Sequence, residues 1–212
     1  MAPTVAVITS IYGGVDEPCT PAEQDTSCEW VLVTDQYHAP PPWRLVTEPR
    51  PHLGANFASK IARARPDLYS GADILIWADG SLKIHSAGFV SSLVAGLGDN
   101  PLGAFESYRH RDSLLDEARV ASVLGKYAGQ QVMTQAEHYH VEGFPPGWGI
   151  WWTGLMIRRR GCPNFGDPWL MEMARWSCEC QVSLPYVLRK MGLRPKSLPG
   201  PSPHFTIRKH IR

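Results

Sequence analysis

Ala72-Asp73-Ile74-Leu75-Ile76-Trp77-Ala78-Asp79-Gly80-Ser81 is the stretch that decides the fold class of this 212-residue chain. Its apolar residues form a continuous run, which is typical of a strand buried on both faces of a parallel sheet. Polar residues arrive only where the run ends. The strand therefore delivers Asp79 into a turn, and Gly80 lets the backbone turn tightly at that point.

Two interpretations of Asp79 follow from this position. An Asp-Gly pair often forms nothing more than a turn between strands. Alternatively, a carboxylate that a strand holds in place can bind Mg²⁺ or Mn²⁺, and the ion can in turn bind a diphosphate. Residues 72–83 alone do not distinguish between the two.

Apolar runs and helical spacings alternate along the first half of the chain, and helices dominate the second half. This order favours an α/β sheet with ligand sites at the carboxyl ends of its strands. Pro185 predicts that the last helix is kinked or in two pieces, and Asp167 is expected to cap its start. The predicted strands are 5–12, 30–34, 43–47, 72–77, 102–106 and 150–159, and the predicted helices are 55–65, 86–97, 112–127, 132–139 and 169–191.

Composition excludes several classes of protein. A hydrophobic content of 43% is too high for a disordered chain, and a net charge of +1 argues neither for nor against nucleic acid as a partner. No stretch approaches the roughly 20 apolar residues of a membrane span, and the N-terminal apolar run predicts a strand rather than a signal peptide. We therefore expect a cytoplasmic protein with free thiols, since no second Cys pair has the spacing of a zinc finger.

Trp77-Ala78-Asp79-Gly80-Ser81 resembles the acidic motif of GT-A-type glycosyltransferases, in which a strand ends in Asp-x-Asp or a variant of it. More specifically, it is similar to a glycosyltransferase-like family, with plant and bacterial members, long catalogued as a domain of unknown function. The resemblance implies a GT-A-like, Rossmann-like α/β fold with a mainly parallel central sheet flanked by helices. It implies a single domain over residues 1–212, of which 193–212 would be a basic, Pro-rich C-terminal tail.

The resemblance continues in order over roughly residues 4 to 190. Thr9-Ser10-Ile11-Tyr12-Gly13 looks like the opening strand and turn over which the nucleotide would lie, and Asp35 could contact the base or ribose. Lys60 is implied to reach towards phosphate, and His110-Arg111-Asp112 resembles another conserved stretch of the family. Gln181-Val182-Ser183, followed by Tyr-Val-Leu, is similar to its late helix, although Cys180 stands where the family usually has Asp.

Transfer of a sugar requires a neutralised leaving group and, if configuration inverts, a base for the acceptor hydroxyl. Lys60, Arg63 and Arg111 are candidates for the phosphates, or are ordinary surface cations. Glu179 and Glu172 are the candidate bases, because seven residues of helix put both on nearly one face. They could equally be solvated.

The candidate metal ligands for Mn²⁺ or Mg²⁺ are Asp79, Ser81 and His204. Ser81 occupies the place of a second carboxylate, and His204 is a late His that could also be a surface residue. Trp152 lies in a Trp- and Gly-rich stretch that predicts an aromatic wall for a sugar or base, or simply core packing.

The sequence thus predicts a hexosyl- or pentosyltransferase that moves a sugar from a nucleotide-sugar, expected to be UDP-linked, to an acceptor hydroxyl. Basic clusters at 158–160 and 208–212 leave DNA with a hydroxymethylated base as an alternative acceptor. The departures at Ser81 and Cys180 leave a non-catalytic nucleotide-sugar-binding protein as another alternative.

Overall fold

One seven-stranded sheet forms the framework of the chain, for which the computed structural model describes residues 2–106, 113–199 and 203–208. A separate ribbon of two short strands accompanies it. In chain order the strands are β1 (Val5–Ile11), β2 (Glu29–Thr34), β3 (Arg44–Thr47), β4 (Ile74–Ala78), β5 (Leu82–Ile84), β6 (Leu102–Glu106), β7 (Trp151–Arg159), β8 (Lys196–Leu198) and β9 (Phe205–Ile207).

The main sheet has the order β3-β2-β1-β4-β7-β6-β8 and is mainly parallel. β1 runs parallel to both β2 and β4, whereas β7 is antiparallel to β4 and β6. The chain proceeds from β1 to one side of the sheet and then returns to β4 on the other side. The carboxyl ends of β1 and β4 therefore flank the point where the strand order reverses, which is where open α/β sheets bind ligands.

Helices cover both faces of this sheet, as the sequence predicts. Residues alternate between the faces, so that Leu75 and Trp77 of β4 belong to one core and Ile74 and Ile76 to the other. α2 packs on the second core, and the remaining five helices pack on the first. The helices are α1 (Ala55–Ala64), α2 (Phe89–Leu97), α3 (Leu114–Ser122), α4 (Val132–Val141), α5 (Gly166–Arg175) and α6 (Cys180–Lys190).

The predicted helix 169–191 is in fact two helices, but the break does not lie at Pro185. The α5 helix ends at Arg175, and Glu179 caps the start of α6 by accepting the Gln181 N–H at 2.9 Å. Pro185 is inside α6 and buried. Its packing in the core outweighs the loss of one backbone hydrogen bond, so the proline does not end the helix.

The predicted cap at Asp167 is also wrong, because α5 begins one residue earlier and Phe165 precedes it. The Asp167 carboxylate accepts hydrogen bonds from Arg65 at 2.5 Å and from Asn164 at 2.7 Å. It thus ties α5 to the end of α1. Two other predicted helices begin or end elsewhere: α2 starts three residues after Ser86, and α3 ends at Ser122 and not near Tyr127.

The C-terminal segment 193–212 is not only a tail, since it contributes two strands within its described part. β8 adds to the edge of the sheet beside β6, and β9 pairs with β5. Both strands have three residues and gain their hydrogen bonds from partners far away in sequence. In the described ranges, no helix combines the length and the apolar character that crossing a membrane requires.

We expect Gly166→Ala to lower the free energy of unfolding by about 2–3 kcal/mol, because overpacking a tight contact forces the backbone to move. A Cβ atom there would overlap the carbonyl oxygen of Ala64 at the end of α1. Gly161→Ala is the matched control, since no atom lies within 4 Å of its added Cβ. Urea denaturation of both variants measures the difference, and equal stabilities would contradict this close approach of α1 and α5.

Candidate functional site

A cavity of about 500 Å³ lies at the carboxyl ends of β1 and β4. Its walls come from the end of β1, one face of α1, the turn after β4, the start of β7 and the first turn of α6. Glu117 of α3 and the segment after α3, with Leu124, Lys126 and Tyr127, close the cavity further. The cavity therefore occupies the reversal point of the strand order, where the sequence predicted a ligand site.

The turn after β4 fixes Asp79 at the cavity wall. Its backbone N–H donates to the Gly154 carbonyl of β7 at 2.8 Å, and its carbonyl accepts the Leu82 N–H at 2.9 Å. An added Cβ at Gly80 would come within 2.7 Å of the Ile11 side chain, so glycine allows the close approach of β1. Asp79 is thus a turn residue, and its side chain also lines the cavity.

Arg63 of α1 forms an ion pair with the Asp79 carboxylate. The same guanidinium donates to Thr153 Oγ1 and to Cys180 Sγ, each at 3.3 Å, and lies 5.0 Å from the centre of the Trp77 ring. Although burial opposes its charge, Asp79 keeps the pKa of Arg63 above its ordinary value. Contacts from β4, β7 and α6 therefore hold this cation in one position.

Lys60 lies one helical turn before Arg63, so both project from the same face of α1 into the cavity. Its side chain is only 8% exposed. Burial and, secondarily, the neighbouring Arg63 lower the pKa of its ammonium group. Among the described residues, Lys60 has no hydrogen-bond or ion-pair partner for its side chain, whereas buried charges are ordinarily paired.

Carboxylates reach the cavity from the first turn of α6 and from α3. Glu179 accepts the Gln181 N–H as the cap of α6, and the Gln181 side chain donates to Glu117 Oε1 at 2.7 Å. Tyr127 lies beside Glu179, and burial followed by this carboxylate raises the pKa of the phenol. The cavity thus contains cations from α1 and hydrogen-bonded carboxylates from α3 and α6.

Trp152 of β7 forms an aromatic part of the wall. Its ring stacks on Phe205 of β9, with ring centres 5.9 Å apart. Gly154 leaves room for the indole, because an added Cβ there would overlap the ring. The neighbouring Trp151 is instead a core residue with 1% exposure.

Seven of the residues predicted for the site come together in this cavity. They are contributed by the end of β1 and the turn that follows it, α1, the turn after β4, β7 and the residue that caps α6. The seven are Ser10, Tyr12, Lys60, Arg63, Asp79, Trp152 and Glu179.

Three other residues predicted for nucleotide binding or catalysis, all within the described ranges, do not line it. Thr9 is buried, and Asp35 accepts the Gly13 N–H at 3.0 Å, holding the turn after β1. Glu172 accepts the Tyr139 hydroxyl at 2.5 Å, on the other side of the break between α5 and α6. Arg111 lies outside the described residues.

Ser81 and His204, two of the predicted metal ligands, lie near opposite ends of the β5–β9 ribbon. Ser81 is buried, and its carbonyl accepts the Arg208 N–H at 2.8 Å. His204 binds Ser86 Oγ at 2.8 Å near the opposite end of the antiparallel ribbon, about 13 Å along the strand from Ser81. Arg208, not His204, reaches the turn after β4 and donates to the Gly80 carbonyl at 3.2 Å.

This donor set does not fit a divalent ion held by the protein. Asp79 is engaged by Arg63, and among the described residues no group of three or more His, Cys, Asp or Glu side chains could hold a metal ion. Divalent ions prefer several oxygen ligands, and only one of the predicted ligands, Asp79, lines the cavity.

Sequence reasoning did not single out Asp16, Lys126 or Tyr127, which also line the cavity. All three lie outside the α-helices and strands. Tyr127 lies beside Glu179, which is distant from it in sequence. No local motif could have identified them, because loop residues join a site only when the chain folds over it.

Comparisons with known proteins show the class of fold. No family model and no curated protein matches the chain. One similar solved structure is the WbbM bifunctional glycosyltransferase in its apo form, with a TM-score of 0.54 and 14% sequence identity. The match covers 94% of this chain and 39% of that chain.

At this identity the likeness concerns the fold alone, and it confirms the predicted GT-A-like architecture. The chain spans well under half the length of the structure that it matches. The more specific resemblance to the plant and bacterial family stays a prediction, since no family model matches.

We expect Lys60→Met to raise the free energy of unfolding near neutral pH by about 1 kcal/mol or more, since it removes a buried charge and keeps the volume. The exposed Lys83 provides the control, and Lys83→Met is expected to change stability by no more than about 0.5 kcal/mol. Chemical denaturation measures both variants, and a loss of stability in Lys60→Met would show that the ammonium group is well paired.

The pH dependence supplies a second readout of Lys60. Its lowered pKa means that the unfolded chain stays protonated up to about the ordinary value of 10.5, while the folded chain releases the proton earlier. Stability of the unmodified protein should therefore gain a rising contribution between the lowered pKa and 10.5, and Lys60→Met should lack it. Identical pH profiles would contradict this assignment.

Proposed function

We propose that the chain is a glycosyltransferase that binds a nucleotide-sugar in this cavity and transfers the sugar to an acceptor hydroxyl. The observation that supports the proposal most directly is the joint presence of Lys60, Arg63 and the Glu179 carboxylate around one cavity of a GT-A-like fold. A volume of about 500 Å³ also suits a ligand of this size. The proposed donor is UDP-linked, and the sugar a hexose or pentose.

In the proposed reaction the acceptor oxygen attacks the anomeric carbon of the donor. The bond from that carbon to the diphosphate oxygen breaks, and the leaving group departs with the electron pair. Glu179 accepts the proton of the acceptor hydroxyl, and attack on the face opposite the leaving diphosphate inverts the configuration of the anomeric carbon. Lys60 and Arg63 stabilise the charge that develops on the leaving diphosphate.

Trp152 is proposed to provide the flat surface on which the sugar or the base stacks. The aromatic stacking on Phe205 orders the ring before any ligand arrives. An ordered aromatic surface loses little conformational entropy on binding, which favours affinity.

DNA is the less favoured acceptor because of the contacts of the basic cluster 158–160; in the other basic cluster, residues 209–212 lie outside the described ranges. Arg158, Arg159 and Arg160 donate to Asp67, to the Gly98 carbonyl and to the Gly71 carbonyl, respectively. This cluster is therefore committed to contacts within the protein rather than presented as a phosphate-binding surface.

A panel of nucleotide-sugars tests donor binding. We expect at least one UDP-sugar to raise the melting temperature, because a ligand at about 100 times its Kd stabilises the folded state by about 2.7 kcal/mol. The control is the same buffer with a free monosaccharide in place of the nucleotide-sugar. If no nucleotide-sugar stabilises the protein, with or without Mn²⁺, the proposed function is wrong.

Glu179→Gln tests catalysis separately from binding. Loss of the base should lower kcat by about 100-fold or more while the donor affinity stays within a few fold. Glu172→Gln discriminates the two predicted bases, and a small effect on kcat is expected from its position outside the cavity. Full turnover in Glu179→Gln would remove this residue from the mechanism, and donor binding without transfer or hydrolysis in the unmodified protein would indicate a non-catalytic binder.

A further inference from the structure

We infer that Lys60 and Arg63 bind and neutralise the diphosphate of the donor without a divalent ion, so that donor binding at this site is metal-independent. The inference rests on the proposed function, because it concerns the diphosphate of the same nucleotide-sugar. It differs from the metal-assisted mechanism that the motif around Asp79 predicts.

Asp79 already has a cation as its partner. Arg63 is ion-paired with its carboxylate, and the Arg63 side chain is only 7% exposed. A divalent ion bound at the same carboxylate would face this guanidinium at short range, where like charges repel strongly in a buried site. Displacing Arg63 would instead leave a buried charge without its partner, which is strongly destabilising.

The Arg63 guanidinium has little freedom to move away from Asp79. Thr153 of β7 and Cys180 of α6 each accept from its NH1 group, and Trp77 lies beneath the guanidinium. These contacts come from three elements of the core. Arg63 is therefore a fixed positive charge at the cavity wall, in the place where an ion at the strand end would act.

Lys60 has a charge that the described chain does not pair. The residue is 8% exposed, lines the cavity, and has no hydrogen-bond or ion-pair partner in the described ranges. It has three N–H donors for phosphate oxygens. An anionic ligand in the cavity would supply acceptors for these donors.

Three carboxylates of the cavity have other donors, although Asp79 and Glu179 partly offset the effect of burial and Arg63 on the pKa of Lys60. Asp79 accepts from Arg63, Glu179 accepts from the Gln181 N–H, and Glu117 accepts from the Gln181 side chain. Each already has a protein donor. A diphosphate in the cavity would supply the acceptors that Lys60 lacks. Its negative charge would be attracted to Lys60 and Arg63, which lie on the same face of α1.

Isothermal titration calorimetry with a panel of nucleoside diphosphates tests the inference, once in EDTA and once in Mn²⁺. We expect the best ligand to bind in EDTA with a Kd within about 3-fold of its value in Mn²⁺. In EDTA, Lys60→Met should weaken binding by about 30-fold or more, because a charge-assisted contact to phosphate is lost. Lys83→Met is the matched control and should stay within about 2-fold, since Lys83 is exposed and does not line the cavity.

Arg63→Lys provides a second variant, because it keeps the charge and loses the fork that reaches Asp79, Thr153 and Cys180 together. It should also weaken binding in EDTA, and its circular dichroism and melting curve report whether it folds. Lys60→Met is expected to fold, so the inference does not depend on Arg63→Lys alone.

The possible results separate the inference from the proposed function. Binding that appears only with Mn²⁺ would overturn the metal-independent inference and leave a metal-assisted glycosyltransferase. Binding in EDTA that is unchanged in Lys60→Met would also overturn it. If no nucleoside diphosphate or nucleotide-sugar binds under either condition, the proposed function is wrong and the inference falls with it.

Discussion

The ion pair between the buried Arg63 and the partly exposed Asp79 is the interaction on which the candidate site depends. It joins α1 to the end of β4, and further contacts of Arg63 extend to Thr153 of β7 and Cys180 of α6. A charge in the protein interior is tolerated only when it is paired and well hydrogen-bonded. The need to satisfy Arg63 therefore brings four elements together, and the cavity lies where they meet.

The carboxyl-terminal end of α1 is held by other arginines. Arg158 donates to the Ala64 carbonyl at 3.1 Å and pairs with Asp67, while Arg65 contacts Asp67 and Asp167. The last carbonyls of a helix lack partners within the helix, and Arg158 supplies a partner for one of them. Arg158, part of a basic cluster that suggests a nucleic-acid surface in the sequence, thus fixes α1 to β7, and Arg65 ties the end of α1 to α5.

A chain of hydrogen bonds connects the two predicted bases, of which only Glu179 lines the cavity. Glu179 N–H donates to Ser177 Oγ at 3.3 Å, and Ser177 donates to Gln135 Oε1. Gln135 in turn donates to the Tyr139 hydroxyl at 2.8 Å, which donates to Glu172. Glu172 therefore anchors the outer end of a buried network, and Glu179 lies at the inner end beside the cavity.

The sequence by itself determined the α/β class, the central strands and the position of Asp79 at a strand end, because continuous apolar runs bounded by turn residues suit strands covered on both faces. The predicted helix 55–65 is α1, in which Lys60 and Arg63, three residues apart, share a face. Glu172 and Glu179 show where local periodicity fails, since the chain breaks between them and a heptad spacing no longer describes a common face.

Only the tertiary structure decided that Arg63 pairs with Asp79, that Lys60 is left without a protein partner in the described chain, and that 193–212 contributes strands. These features depend on groups that are distant in sequence. Their energies arise from desolvation and from hydrogen bonds made only once the elements are packed together, and no local pattern of residues encodes them.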